Sequence, residues 1–135
     1  MSERLEFRRI TDVESSTYLQ VERLYAQLFD RQTAMSHWRF INLISGNLVV
    51  LIGGFVGKDL VAVASLVEIR TLSRHAFLLE EVVVDEKSRG KGVGRKLVQS
   101  AVRYMLSNTN ATRIECTFNE DNKAAWAIYE KEGFI

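Results

Sequence analysis

A chain of 135 residues, 47% hydrophobic and 26% charged, is long enough to bury one core and is expected to form a single domain over residues 1–135. Its 18 Lys plus Arg against 17 Asp plus Glu argue against a nucleic-acid or anionic-membrane partner, and one cysteine with two histidines argues against a disulfide framework or a metal site. Met1 to Arg9 is charged, and no run approaches the roughly 18 apolar residues of a membrane span, so a cytoplasmic location is expected. Leu5 to Ile10 alternates as a first strand, and Thr11-Asp12-Val13-Glu14 has the spacing of a capping box, which predicts a helix starting there. Val21, Leu24, Tyr25, Leu28 and Phe29 then form one apolar helical stripe. A second short helix is expected to carry Met35, Trp38, Phe40 and Ile41 up to Gly46. Asn47 to Val56 and Leu60 to Ile69 are β-rich and joined by Gly57-Lys58-Asp59 as a hairpin, with Gly53-Gly54 suggesting a bulge or bend. Phe77 to Val84 is the next strand, Val93 to Leu106 a helix burying Val93, Leu97, Ala101 and Met105, Arg113 to Phe118 a strand, and Asp121 to Glu132 the last helix.

The most informative stretch is Val82-Val83-Val84-Asp85-Glu86-Lys87-Ser88-Arg89-Gly90-Lys91-Gly92-Val93-Gly94-Arg95, where a β-branched strand empties into a glycine-spaced basic turn that opens a helix. Such a turn lets free N–H groups converge on an anion, and the helix dipole adds positive potential there. The bland reading is an ordinary helix N-terminus with solvated charges. Gly90, Gly92 and Gly94 miss the GxGxxG spacing of dinucleotide-binding turns, and Arg95 stands where a P-loop needs lysine after its last glycine. Arg89, Gly92 and Gly94 do fit the acyl-CoA pyrophosphate signature, Arg or Gln, two residues, Gly, one residue, Gly or Ala. A second block, Asn122-Lys123-Ala124-Ala125-Trp126-Ala127-Ile128-Tyr129-Glu130-Lys131-Glu132-Gly133-Phe134, follows in the right order.

On these two motifs the chain resembles the Gcn5-related N-acetyltransferase (GNAT) family. The resemblance implies an α/β fold with a mixed central sheet, flanked by helices, whose fourth and fifth strands run parallel and splay apart. It implies acetyl-CoA as cofactor, held by Arg89, Gly90, Lys91, Gly92, Val93, Gly94 and Arg95 at the pyrophosphate and by the backbone of Val82, Val83 and Val84 at the pantetheine. Tyr129 would protonate the departing thiolate, and Asn122 would cap or orient its helix and touch the cofactor. Both residues also have an ordinary packing or capping explanation.

Glu80-Glu81 precedes the valine run, and strand alternation allows only one of the two to face an acceptor unless a bulge intervenes. Comparison with family members points to Glu80 as a base acting through water, with Glu81 second; a solvated pair on the sheet is the competing reading. Arg31, His37, Trp38 and Arg39 fall where the family covers its acceptor, so Arg31, His37 and Trp38 are acceptor-binding candidates with Glu80; a Trp-Arg pair there could contact an acidic or phosphorylated acceptor, against the more common explanation of a core Trp beside exposed arginines. Cys116, in alternation with Ile114 and Phe118, reads as a buried strand residue, not a nucleophile. The function implied is acetyl transfer to a primary amine of a small molecule by direct attack. A CoA-binding sensor without turnover and a protein or peptide acetyltransferase are the alternatives. Relatives commonly continue past Gly-Phe with further strands; if the protein ends at Ile135 these C-terminal strands are expected to be missing, leaving an edge that a homodimer could cover, the alternative being that the sequence is a piece of a longer protein.

Overall fold

The computed structural model describes residues 4–29, 35–111 and 113–116, with Phe29 described by its backbone alone; Arg31, Phe118, Asn122, Tyr129 and the expected last helix lie outside them. In chain order the elements are β1 (Leu5–Ile10), α1 (Ser15–Phe29), α2 (His37–Ser45), β2 (Val50–Val56), β3 (Asp59–Arg70), β4 (His75–Val84), α3 (Val93–Asn108) and β5 (Arg113–Cys116). The strands form one sheet in the order β1-β2-β3-β4-β5. The pairs from β1 to β4 are antiparallel, whereas β4 and β5 are parallel. A parallel pair needs a long crossover, and α3 is that crossover.

Two local expectations differ from what is observed, and a third, the bulge at Gly53-Gly54, is found there with its extra residue on the partner strand. The first helix starts at Ser15 rather than at Thr11, because Asp12 takes the Glu14 N–H at 2.8 Å and the Thr17 hydroxyl at 2.6 Å. A short acidic side chain thus closes its own turn before the helix can begin. On α2, capped by Ser36 whose side chain accepts from the Arg39 N–H, the buried residues are Phe40 and Ile44 while Trp38 is 73% exposed. In the hairpin, the irregularity beside Gly54 places the extra residue, Val61, on β3, and its carbonyl accepts the Asp85 N–H at 2.8 Å.

Each face of the sheet carries its own core. On one face Val50, Ile52, Ala62, Ala64, Leu66, Phe77 and Leu79 pack against Val93, Leu97, Val98, Ala101 and Met105 of α3. On the other, Leu51, Phe55, Leu60, Val63 and Val83 pack against Val21, Leu24 and Tyr25 of α1 and Phe40 and Ile44 of α2. Strand alternation assigns the residues to these faces.

Candidate active site

The decisive local feature is a β-bulge. Ala64 pairs with Val82 and Leu66 with Leu79, so the single residue Ser65 faces two, Glu80 and Glu81. Parity along β4 confirms the count: Phe77 and Leu79 belong to the α3 face, and so do Val82 and Val84, while Val83 packs on the other. Two residues between Leu79 and Val82 therefore share the face that looks towards α1 and α2. The condition under which both carboxylates reach one site is met.

They reach a cavity of about 550 Å³ between the helices and the sheet. Its floor is Leu51, Ser65, Val67, Glu80 and Glu81, and its helical walls include Val21 and Tyr25 of α1 and Arg39, Phe40, Leu43 and Ile44 of α2. Tyr25 is nearly buried, and its hydroxyl is hydrogen-bonded with both Glu81 and Ser65. Burial holds the Tyr25 hydroxyl well above the usual tyrosine pKa, with the charge of Glu81 and the bond to it acting in the same direction. The phenol stays protonated and can donate to the carboxylate.

Beyond the bulge β4 runs into the glycine turn. A short 3-10 turn, Glu86–Ser88, is capped by Asp85, and then Gly90 and Gly92 take φ values of 80° and 78°. These are left-handed conformations that favour glycine, and at both positions a Cβ would meet nothing within 4 Å. The space above the turn is open. Gly92 is the N-cap of α3 and provides no side-chain acceptor, so the first-turn amides of α3 are not claimed by a cap. Arg89, Lys91, Arg95 and Lys96 are exposed around it, and Arg89 Nε folds back onto the Val84 carbonyl at 3.0 Å.

One stripe of α1 braces this turn. Arg23 bonds Asp85 at 2.9 Å and the Leu60 carbonyl at 3.1 Å; Gln27 bonds Asp85 at 3.3 Å and accepts the Glu86 N–H at 3.1 Å. Burial alone would raise the Asp85 carboxyl, but Arg23, Gln27 and the Lys87 N–H outweigh it and hold the pKa below the usual carboxylate value. The same helix thus walls the cavity with Val21 and Tyr25 and fixes the entry to the turn with Arg23 and Gln27.

Other candidates lie elsewhere. His37 Nε2 is 2.8 Å from the Val13 carbonyl and its ring stacks on Tyr18 at 4.8 Å, so it ties α2 to the start of α1. Neither His37 nor the exposed Trp38 is a wall of the cavity. Cys116 is half-buried beside the α3-face core, and burial pushes its thiol upward. Among the described residues no group of His, Cys, Asp or Glu is arranged to hold a metal ion.

The acetyltransferase (GNAT) family pattern matches residues 8–134. The chain belongs to this family. It is 39% identical over 72 residues to mycothiol acetyltransferase of Corynebacterium efficiens, covering 51% of this chain and 24% of that protein. It is 32% identical over 75 residues to L-2,4-diaminobutyric acid acetyltransferase of Methylotuvimicrobium alcaliphilum, covering 56% and 42%. The matched stretches thus span less than half of these curated relatives. Among solved structures, an aminoglycoside acetyltransferase from an uncultured soil metagenomic sample, in complex with trehalose, superposes with a TM-score of 0.84 at 13% identity, covering 96% of this chain and 87% of that one. An Agrobacterium tumefaciens protein described as a putative acetyltransferase gives 0.83 at 22% identity, covering 96% and 92%. At such identities the likeness is one of fold.

Within this GNAT frame, two cavity features, Tyr25 and Ser65, were not read as functional from sequence. Tyr25 reads in the sequence as one more member of an apolar helical stripe, whereas Arg39 already falls in the segment expected over the acceptor. Ser65 left a signal, being the lone hydroxyl in the apolar run Leu60 to Val67, but only the pairing register reveals that it sits opposite Glu80-Glu81.

Proposed function

We propose that the chain is an acetyl-CoA-dependent N-acetyltransferase that acts on a primary amine of a small molecule by direct attack. The observation that carries this reading is the bulge that turns two carboxylates into one cavity, on the strand whose end opens the glycine turn. The relatives, named as acetyltransferases of mycothiol, L-2,4-diaminobutyric acid, spermidine and aminoglycosides, lend the amine acceptor support only as a class.

The turn fits the cofactor: left-handed glycines with open space above them, an uncapped helix start and surrounding cations suit a pyrophosphate. Arg89, Gly90, Lys91, Gly92, Val93, Gly94 and Arg95 would hold that group, and the Val82 to Val84 backbone the pantetheine. Bound acetyl-CoA supplies an acetyl group on a thioester and leaves as the thiol. Glu80 and Glu81 take the proton that an acceptor ammonium must lose before its nitrogen can attack, directly or through water. Glu81 is anchored by Tyr25, whose hydroxyl is held in turn by Ser65, which leaves Glu80 the carboxylate with the freer lone pairs. Tyr129, outside the described residues, remains the proposed donor to the departing sulfur, with Asn122 at the start of its segment.

The test is acetyl-CoA titration calorimetry beside a thiol-release assay over amines, amino sugars and peptides. Binding with amine-dependent release supports the proposal. Binding without release on any acceptor overturns it in favour of a sensor.

A further inference from the structure

Among the described residues, the cavity that receives Glu80 and Glu81 also contains one cation, Arg39, contributed from the opposite, helical wall. Its backbone N–H bonds the Ser36 hydroxyl at 3.1 Å, which fixes where α2 begins and where Arg39 projects from its first turn. No ion pair or hydrogen bond engages the guanidinium among the described residues. Its neighbours on α2 in the cavity lining, Phe40, Leu43 and Ile44, are apolar, and Arg39 is exposed, so its guanidinium is accessible to a ligand entering the cavity.

We infer that the acceptor carries an anionic group as well as its amine, the ammonium facing Glu80 and Glu81 and the anion facing Arg39 across a short apolar middle. The inference rests on the N-acetyltransferase reading and narrows its substrate class. A guanidinium offers a planar fork of N–H donors that matches carboxylate or phosphate oxygens in pairs. A polycation would place like charge against Arg39, and a simple alkylamine would leave it unused. The carboxylates on the sheet and the arginine on the helix therefore select for a zwitterion-like molecule, with Arg39 as the specificity-determining residue.

The measurement is kcat/KM in the thiol-release assay on matched pairs that differ only in the anion. The carboxylate pair is 2,4-diaminobutyrate against 1,3-diaminopropane, and the phosphate pair is O-phosphoethanolamine against ethanolamine. The anionic member of one pair is expected to be preferred by roughly tenfold or more, the pair identifying the anion. Arg39→Gln should collapse that within-pair ratio towards one, chiefly through KM, and Arg39→Lys should retain part of it. Arg39 is exposed, so the variants should fold, and unchanged acetyl-CoA affinity by calorimetry checks this. Preference for the non-anionic partner in both pairs, or an unchanged ratio in Arg39→Gln, overturns the inference while leaving the acetyltransferase reading intact. Release from no amine at all removes that reading and this one with it.

Discussion

The two faces of the sheet are built from the same strands yet differ in kind. The α3 face is closed and apolar, with Leu66, Leu79, Leu97 and Ala101 at 0% exposure. The α1/α2 face has a comparable core at one end, around Leu24, Leu60 and Val63, but opens elsewhere into a cavity holding Ser65, Tyr25, Glu80, Glu81 and Arg39. One inserted residue accounts for much of the difference. Leu79 and Val82 both remain on the α3 face, so the bulge leaves the dry side unchanged and doubles the carboxylates on the wet side. The closed core under α3 and the carboxylate-lined cavity thereby lie on opposite sides of one strand.

Breaking the dry face should cost the most. Phe77→Ala removes a ring that is 2% exposed and packed under α3, and is expected to lower unfolding stability by about 3–5 kcal/mol, read from denaturant midpoints. A loss below about 1 kcal/mol would mean that the α3 face is not the stabilising one.

Removing the bulge separates the faces more sharply. Deleting Glu80 restores plain alternation with Leu79 and Val82 still facing α3, so the protein should fold, while amine-dependent thiol release should fall by about 10²-fold or more. Retained activity in a folded deletion variant would show that the second carboxylate and the bulged backbone have no part in the reaction.

Tyr25 tests the wet face by pH. Its pKa is raised in the folded state by burial and by Glu81, so the neutral phenol contributes stability that is fully present below about pH 10 and is lost as pH rises towards and through the folded value. Tyr25→Phe should lose about 1 kcal/mol at neutral pH for the missing hydroxyl and show a shallower fall of Tm above pH 10 than the parent. Parallel alkaline limbs in the two proteins would sink the assignment.

Much of the fold was legible because its signals are local. The Val93-Leu97-Ala101-Met105 stripe and the β-branched run before the glycines each carry their own periodicity, and the order of elements through β5 follows from them. The Glu80-Glu81 pair was legible as a question, since alternation states the problem but only cross-strand register answers it. The partners of that pair were not legible. Tyr25 is brought to Glu81 by the way α1 crosses the sheet, and the polar stripe Arg23 and Gln27 finds Asp85 only after β3 and β4 have paired. Contacts of that range leave no period in the chain.

Trp38 marks the smallest effect and the place where composition misled. An aromatic next to Arg39 and Phe40 invites either a core or an acceptor contact, yet at helical spacing the inward positions of α2 are Phe40 and Ile44, which turns Trp38 to solvent. Trp38→Ala is therefore expected to change stability by no more than about 0.5 kcal/mol and to leave the acceptor KM unchanged, in contrast to Arg39→Gln one residue along the same helix. Neighbours on α2 with opposite outcomes would show that the cavity is read by one side of that helix. An equal rise in KM for both variants would instead mean that the acceptor extends over the outer face of α2, and that the wet side of the sheet is larger than the cavity beneath it.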